Sequence, residues 1–149
     1  MATWREMAEE APEFAADVGE RFAVRKHATL ATLRRDGSPR ISGTEVELDG
    51  DEVWLGSMPG AVKALDLLRD PRMALHSPTV DPSEDDPGAW PGEAKIAGRA
   101  VEVTDGGLPD GHRFRIDITE VVLTRVGTPA DHLLIRSWHP GRGLEERRR

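Results

Sequence analysis

Along the chain, apolar and polar residues alternate first with the period of a helix and then, from residue 28, with the period of a strand. Phe14, Val18 and Phe22 recur at helical spacing after Pro12, which predicts an amphipathic N-terminal helix whose apolar face packs on a core. From residue 28 the period becomes two, as in half-buried strands. The turn pairs Asp36-Gly37 and Asp49-Gly50 interrupt this alternation. The pattern therefore predicts an antiparallel meander of three strands, over residues 28–33, 39–48 and 52–57.

A second helix is predicted after the third strand. Pro59 suits the first helical position, and Pro71 ends the helix. The periodicity predicts six buried apolar positions: Ala61, Val62, Ala64, Leu65, Leu67 and Leu68. It predicts a polar side at spacings of three and four: Lys63, Asp66 and Asp70.

Strand patterns resume after this helix, over residues 72–77, 93–104, 112–126 and 132–138. A long acidic loop with four prolines lies at residues 78–92, and a basic tail at 140–149 is predicted to be flexible. Six or seven antiparallel strands with short turns and one helical connection favour a small barrel, which closes its own edges, over an open sheet. We expect one domain over residues 1–149, with its core at about 22–139.

Composition narrows the class of protein. The 149 residues include no cysteine, which excludes disulfides, thiolate nucleophiles and Cys-ligated metals. The net charge of −7 argues against non-specific nucleic-acid binding, which depends on clustered cations. No apolar run is long enough for a membrane span, and the N-terminus lacks the order of a signal peptide. We expect a soluble cytoplasmic protein that binds neither nucleic acid nor a membrane.

The most distinctive local feature is the loop from Gly56 to Lys63, where a strand ends and a helix begins. The first amides of a helix lack intrahelical partners and lie at the positive end of its dipole, so they favour an anion such as phosphate. Ser57 adds a hydroxyl donor and Lys63 a positive charge. A capped helix with a solvated lysine is the alternative, because the loop matches neither the P-loop nor the dinucleotide fingerprint.

The sequence contains no obvious set of catalytic side chains. Its five histidines lack metal-ligand spacing, so we expect no metal site, and no Gly-x-Ser-x-Gly elbow is present. The carboxylates fall mainly in turns and in the acidic loop, where solvated roles are the default. Trp138, near the end of the last predicted strand, and Trp90, in the acidic loop, suit either packing or contact with a planar cofactor.

Four runs of sequence resemble the pyridoxamine 5'-phosphate oxidase-like, or flavin/deazaflavin oxidoreductase, superfamily: Ala28–Leu33, Asp36–Arg40, Val53–Ala64 and Leu68–Leu75. The resemblance covers residues 22–77 well, and the later strand pattern extends it over most of the chain. It implies a mainly β fold, a split β-barrel with an N-terminal helix and one inserted helix. It also implies a homodimer with cofactor sites at the subunit interface.

The resemblance further implies where a cofactor binds. The stretch from Gly56 to Lys63 matches the part of the family that holds the phosphate of FMN, and residues 42–44 match the strand along the flavin ring and ribityl chain. The implied cofactor-binding residues are Ser42, Gly43, Thr44, Gly56, Ser57, Met58, Lys63, Trp138 and Arg142. Ser42 and Glu47 stand where true pyridoxamine phosphate oxidases carry an arginine and a lysine, which argues against vitamin B6 chemistry.

Taken together, the resemblance implies an oxidoreductase that binds FMN, or alternatively F420, and transfers a hydride to or from a small organic substrate. In such enzymes the cofactor carries the chemistry, so no protein nucleophile is needed. Two alternatives are a non-catalytic flavin- or haem-binding module (a carrier, sensor or scavenger) and a cofactor-free dimeric scaffold. FMN is favoured because the acidic tail of F420 needs extra cations, for which Arg40, Arg142 and the terminal arginines are the candidates.

Overall fold

The computed structural model describes residues 1–104 and 111–149. Within these ranges the chain forms three α-helices and eight β-strands. In chain order they are α1 (Trp4–Glu10), α2 (Pro12–Ala23), β1 (His27–Leu33), β2 (Pro39–Leu48), β3 (Val53–Ser57), α3 (Val62–Arg69), β4 (Arg72–His76), β5 (Glu93–Glu102), β6 (His112–Val126), β7 (Leu133–His139) and β8 (Gly143–Arg148). A short 3-10 turn, Pro87–Ala89, lies between β4 and β5.

The strands form one antiparallel sheet in the order β3-β2-β1-β4-β5-β6-β7-β8, and an added pairing between β3 and β6 closes six of them into a barrel. This confirms the predicted mainly β split barrel. The seven strand ranges predicted from the sequence all form strands, with ends that agree to within two residues, but the structure has eight strands where six or seven were expected. The alternation in β1 explains the agreement, because Ala28, Leu30 and Thr32 point into the barrel and are buried. None of the described helices is both long and apolar enough to cross a membrane.

The last strand is a difference from the sequence prediction. Residues 143–148 were expected to belong to a flexible tail, but they pair with β7 from His139↔Gly143 to Leu134↔Arg148. Gly141 and Gly143 have positive φ values of 82° and 73°, which the turn between the two strands requires. The strand has no apolar alternation because its side chains are largely exposed, so its backbone pairing left no mark on the hydrophobic pattern.

Helix α1 is a second difference, because the sequence pattern predicted only one N-terminal helix. Thr3 and Glu6 form a capping box in which each side chain accepts a hydrogen bond from the other's backbone amide. Trp4 and Met7 then bury their side chains in the core. The helix spans only seven residues, which is too short for a clear periodicity.

Helix α3 begins later than the sequence predicted, and the face that it buries is not the predicted one. Val62, Leu65 and Leu68 were expected to be buried, but they are 53%, 48% and 51% exposed. Asp66 was placed on the polar side, yet it is only 2% exposed. The physical reason is a cluster of hydrogen bonds under the helix, in which the carboxylate of Asp66 satisfies three donors.

Candidate functional site

The chain makes a tight turn where β3 meets α3. The carbonyl of Met58 accepts a hydrogen bond from the amide of Ala61 at 3.2 Å, and Gly60 has a φ of +70°. Proline in the second position of a turn and a positive-φ glycine in the third are typical of a type II turn. The sequence predicted Pro59 at the first helical position. It lies instead in this turn, and α3 begins at Val62.

His112 holds this turn from the neighbouring strand. It lies opposite Ser57 in the pairing of β3 with β6, and its Nε2 accepts a hydrogen bond from the amide of Gly60 at 3.2 Å. A ring nitrogen that accepts a hydrogen bond carries no proton, so in the neutral ring the proton is on Nδ1. That atom is buried and lies 3.9 Å from a carboxylate oxygen of Glu102. This role could not be predicted from the sequence, because it depends on the pairing of two strands that lie 50 residues or more apart.

Lys63 connects the first turn of α3 to β2. Its Nζ donates a hydrogen bond to the carbonyl oxygen of Gly43 at 2.9 Å. An ammonium group carries three donors, so two remain for another acceptor. The amides of Val62 and Lys63 are the first two of the helix and have no acceptor within it. A cationic side chain and two backbone donors are therefore grouped at one place.

Four of the predicted cofactor-binding residues line one small pocket against the barrel core: Thr44, Gly56, Ser57 and Lys63. Apolar side chains of the core form the rest of its wall: Leu30, Leu55, Ala64, Leu67 and Phe114. The hydroxyl oxygen of Ser57 is buried and has no hydrogen-bond partner among the described residues. A buried hydroxyl without a partner is costly, so the pocket wall contains a donor that a bound acceptor would satisfy.

The surroundings of this pocket fit an anionic group with a larger body. A β-carbon added at Gly43 or Gly60 would meet no atom of a more distant residue within 4 Å, so both glycines border open space. Met58 is 79% exposed beside them, and Ser42 is half-buried on β2. The donors of Ser57 and Lys63, with the first amides of α3, fit a phosphate, and the open glycine surface leaves room for the molecule attached to it.

The remaining predicted residues lie elsewhere. Trp138 is 1% exposed in the core, so its ring is packed inside the subunit. Arg142 lies on the turn between β7 and β8, where its side chain is 60% exposed and 3.9 Å from Glu145. Trp90 donates its indole N–H to the carbonyl of Val80 at 2.7 Å, which ties the acidic loop to itself. Arg40, considered for the F420 tail, is bonded to Asp66 at 2.7 Å.

Replacing His112 by alanine is expected to loosen the turn without unfolding the barrel. The change removes one hydrogen bond to a backbone amide, which is worth about 1 kcal/mol. The amide of Gly60 should then exchange with solvent several-fold faster, as measured by hydrogen exchange in NMR. His27→Ala is the control, because that side chain is 69% exposed on β1. An unchanged exchange rate at Gly60 would show that His112 does not hold the turn.

Comparison with known proteins supports the fold and identifies the family. The sequence model of the family named pyridoxamine 5'-phosphate oxidase matches residues 16–123. No curated protein sequence is significantly similar to the chain. Among solved structures, a pyridoxamine 5'-phosphate oxidase-related, FMN-binding protein from Nostoc punctiforme has a TM-score of 0.67 at 9% identity and covers 97% of this chain and 98% of its own.

Two further structures share the fold. PhzG from Burkholderia lata, in complex with tetrahydrophenazine-1-carboxylic acid, has a TM-score of 0.66 at 11% identity and covers 93% of this chain and 88% of its own. A protein described as an F420 reductase has a TM-score of 0.51 at 18% identity and covers 68% of this chain and 94% of its own. Likeness at these identities establishes the fold, and the match to the family model over residues 16–123 establishes the family.

Proposed function

This chain belongs to the pyridoxamine 5'-phosphate oxidase family, and we propose that it binds FMN with the phosphate at the turn between β3 and α3. The observation that carries the proposal is the buried hydroxyl of Ser57, which has no partner among the described residues and lines the same pocket as Lys63. A phosphate accepts hydrogen bonds from both groups and from the first amides of α3. Together these donors would hold a phosphate dianion at the turn between β3 and α3.

The proposed activity is that of an oxidoreductase acting on a small organic substrate. FMN supplies the hydride chemistry when it is bound. The protein would contribute binding and orientation: the phosphate donors fix one end of the cofactor, and the open surface at Gly43 and Gly60 lets its body approach the backbone of β2. The family includes flavin-binding oxidoreductases, which supports this assignment, while Ser42 and Glu47 argue against a vitamin B6 substrate.

We further propose that two copies of the chain complete the site. The pocket of one subunit is far too small for a flavin ring, so the ring has to lie on the surface beside it. Five large apolar side chains are exposed on the elements that carry the site: Ile41, Met58, Val62, Leu65 and Leu68. Exposed apolar groups of this kind are typical of surfaces that bind another protein. A second copy would cover them and close over the ring.

The choice of FMN over F420 is supported by the charges around the pocket. F420 carries an acidic tail, which needs cations beyond the phosphate donors. Arg40 and Arg69 both donate hydrogen bonds to the carboxylate of Asp66, so neither is available to a tail without breaking that cluster. With a net charge of −7, the chain offers little attraction to a polyanion.

Titration of the purified chain with FMN, and separately with F420, tests this proposal. We expect FMN to saturate near one molecule per subunit with a dissociation constant in the micromolar range or below, and F420 to bind at least tenfold more weakly. Flavin fluorescence and absorbance report binding, and sedimentation reports whether the chain is dimeric. Tighter binding of F420 would reverse the cofactor assignment. Binding of neither would favour a cofactor-free scaffold over the oxidoreductase.

A further inference from the structure

A second cleft lies away from the proposed flavin site. It has a volume of about 230 Å³ and is bounded by α2, residues 88–91 of the acidic loop, and strands β6 and β7. No residue that lines it also lines the pocket of Ser57 and Lys63. Three arginines from three different elements meet at its wall: Arg21, Arg125 and Arg136. Such a convergence of guanidinium groups calls for a physical explanation.

The most unusual of these groups is Arg21 on α2. Its side chain is only 13% exposed, yet it makes no hydrogen bond to the described part of the chain. Its ion pair with Glu20 is long, at 3.8 Å, and the side chain of Glu20 is 71% exposed. Burying most of a charged side chain without a close partner is unfavourable, so an anion beside its guanidinium would stabilise it. Among residues 1–104 and 111–149, no anionic group lies at hydrogen-bond distance from it.

Arg136 on β7 adds a second unused donor. Its Nη2 donates to the carboxylate of Asp17 at 2.9 Å, but its Nε is fully buried and has no hydrogen-bond partner among the described residues. Asp17 is thereby committed to Arg136. The other charged groups that line the cleft are two arginines, Arg21 and the exposed Arg125, and one carboxylate, Glu20. The positive charges at the cleft therefore exceed the negative charges by one.

The lining of the cleft also includes apolar groups. Trp90 lines it together with Pro91 and Leu123. The hydrogen bond from the Trp90 indole to the carbonyl of Val80 holds the ring in place and uses its only donor, so the ring can offer packing but no further hydrogen bond. The lining of the cleft thus combines cationic donors with an aromatic side chain.

We propose that this cleft binds a small organic anion, an aromatic ring bearing a carboxylate. The guanidinium group matches a carboxylate in shape and can bind it with two parallel hydrogen bonds. The indole packs against an aromatic ring. A volume of about 230 Å³ lies below the range of roughly 300–1,000 Å³ for sites of drug-sized ligands, which limits the ligand to about one ring. This inference does not depend on the flavin proposal.

Benzoate is the probe for this site, and benzamide, which has the same shape without the charge, is its matched control. In calorimetric titrations of the whole chain saturated with FMN, benzoate should bind and benzamide should not. Arg21→Gln should weaken benzoate roughly tenfold or more, as expected for the loss of a charge-assisted hydrogen bond. Arg99→Gln, on the exposed side of β5, should leave it unchanged.

Three results would overturn the proposal. One is equal binding of benzoate and benzamide, which would show that charge is not recognised. Another is an unchanged affinity for benzoate in both Arg21→Gln and Arg125→Gln. Two variants are used so that a folding defect in one of them does not decide the test. The third is displacement of benzoate by FMN, titrated into the cofactor-free chain, which would place the probe in the flavin site. Should FMN itself fail to bind, the benzoate titrations still decide this inference, because the two sites share no residue.

Discussion

Replacing Asp66 by alanine is expected to lower the free energy of unfolding by about 3 kcal/mol. The carboxylate is 2% exposed and accepts hydrogen bonds from the hydroxyl of Thr32 and from Nε of Arg40, both at 2.7 Å, and from Arg69 at 3.0 Å. Breaking a buried ion pair costs about 3–5 kcal/mol because it leaves a charge unpaired. We place the loss near the lower end because Arg40 and Arg69 keep 28% and 30% of their side chains exposed and can regain water.

The same variant should change how stability depends on pH. Burial alone would raise the pKa of Asp66, but the hydrogen bonds from Arg40, Thr32 and Arg69 outweigh it and hold the pKa below the usual 3.8. A pKa lowered by folding stabilises the protein above the pKa of the unfolded chain, and this contribution is lost as the pH falls through the folded value. The difference between wild type and Asp66→Ala should therefore be constant near neutral pH and shrink below about pH 4.

Denaturant unfolding at several pH values measures both effects. Asp70→Ala is the matched control, because Asp70 lies just beyond the same helix and its ion pair with Arg72 is exposed. The pKa of Asp70, lowered to about 2 by hydrogen bonds from Arg72, affects wild type and Asp66→Ala alike and cancels in their difference. A loss no larger for Asp66→Ala than for Asp70→Ala would contradict the buried cluster.

The barrel could be predicted because its evidence is local. Each of the first seven strands alternates or carries a continuous apolar run, and each is bounded by a turn residue such as Gly37, whose φ of +85° the first hairpin requires. Pairing of consecutive strands by short turns then leaves few possible topologies. The eighth strand, Gly143–Arg148, was not predicted because its side chains are largely exposed and show no apolar alternation. It is held by backbone hydrogen bonds, which leave no pattern in the sequence.

The buried face of α3 and the role of His112 could not be predicted, because both depend on contacts between residues that are distant in the sequence. Periodicity assigns a buried face by polarity, and it fails where a charged side chain such as Asp66 is buried with partners from β1 and β2. Those partners are 26 and 34 residues away in the chain. The pocket residues Ser57 and Lys63 were predictable because the strand-to-helix junction that groups them is a local feature, marked by Pro59 and Gly60.

Replacing Lys63 by alanine is expected to weaken the binding of FMN by about 1.5–3 kcal/mol, the range for a hydrogen bond to a charged group. The ammonium lies in the first turn of α3 with donors left after its bond to Gly43. Riboflavin, which has the same ring and ribityl chain without the phosphate, should bind wild type and variant about equally. Lys95→Ala is the control, because Lys95 is exposed on β5 and should not affect either ligand.

The comparison of the two ligands separates two roles that the structure allows for Lys63. Its hydrogen bond to the carbonyl of Gly43 ties α3 to β2, so the variant loses a structural contact along with a phosphate donor. A structural role alone would displace the whole site and weaken FMN and riboflavin by the same factor. A role in phosphate binding weakens FMN alone, and this selective loss should itself diminish at high salt, since the attraction between an exposed ammonium and a phosphate is screened.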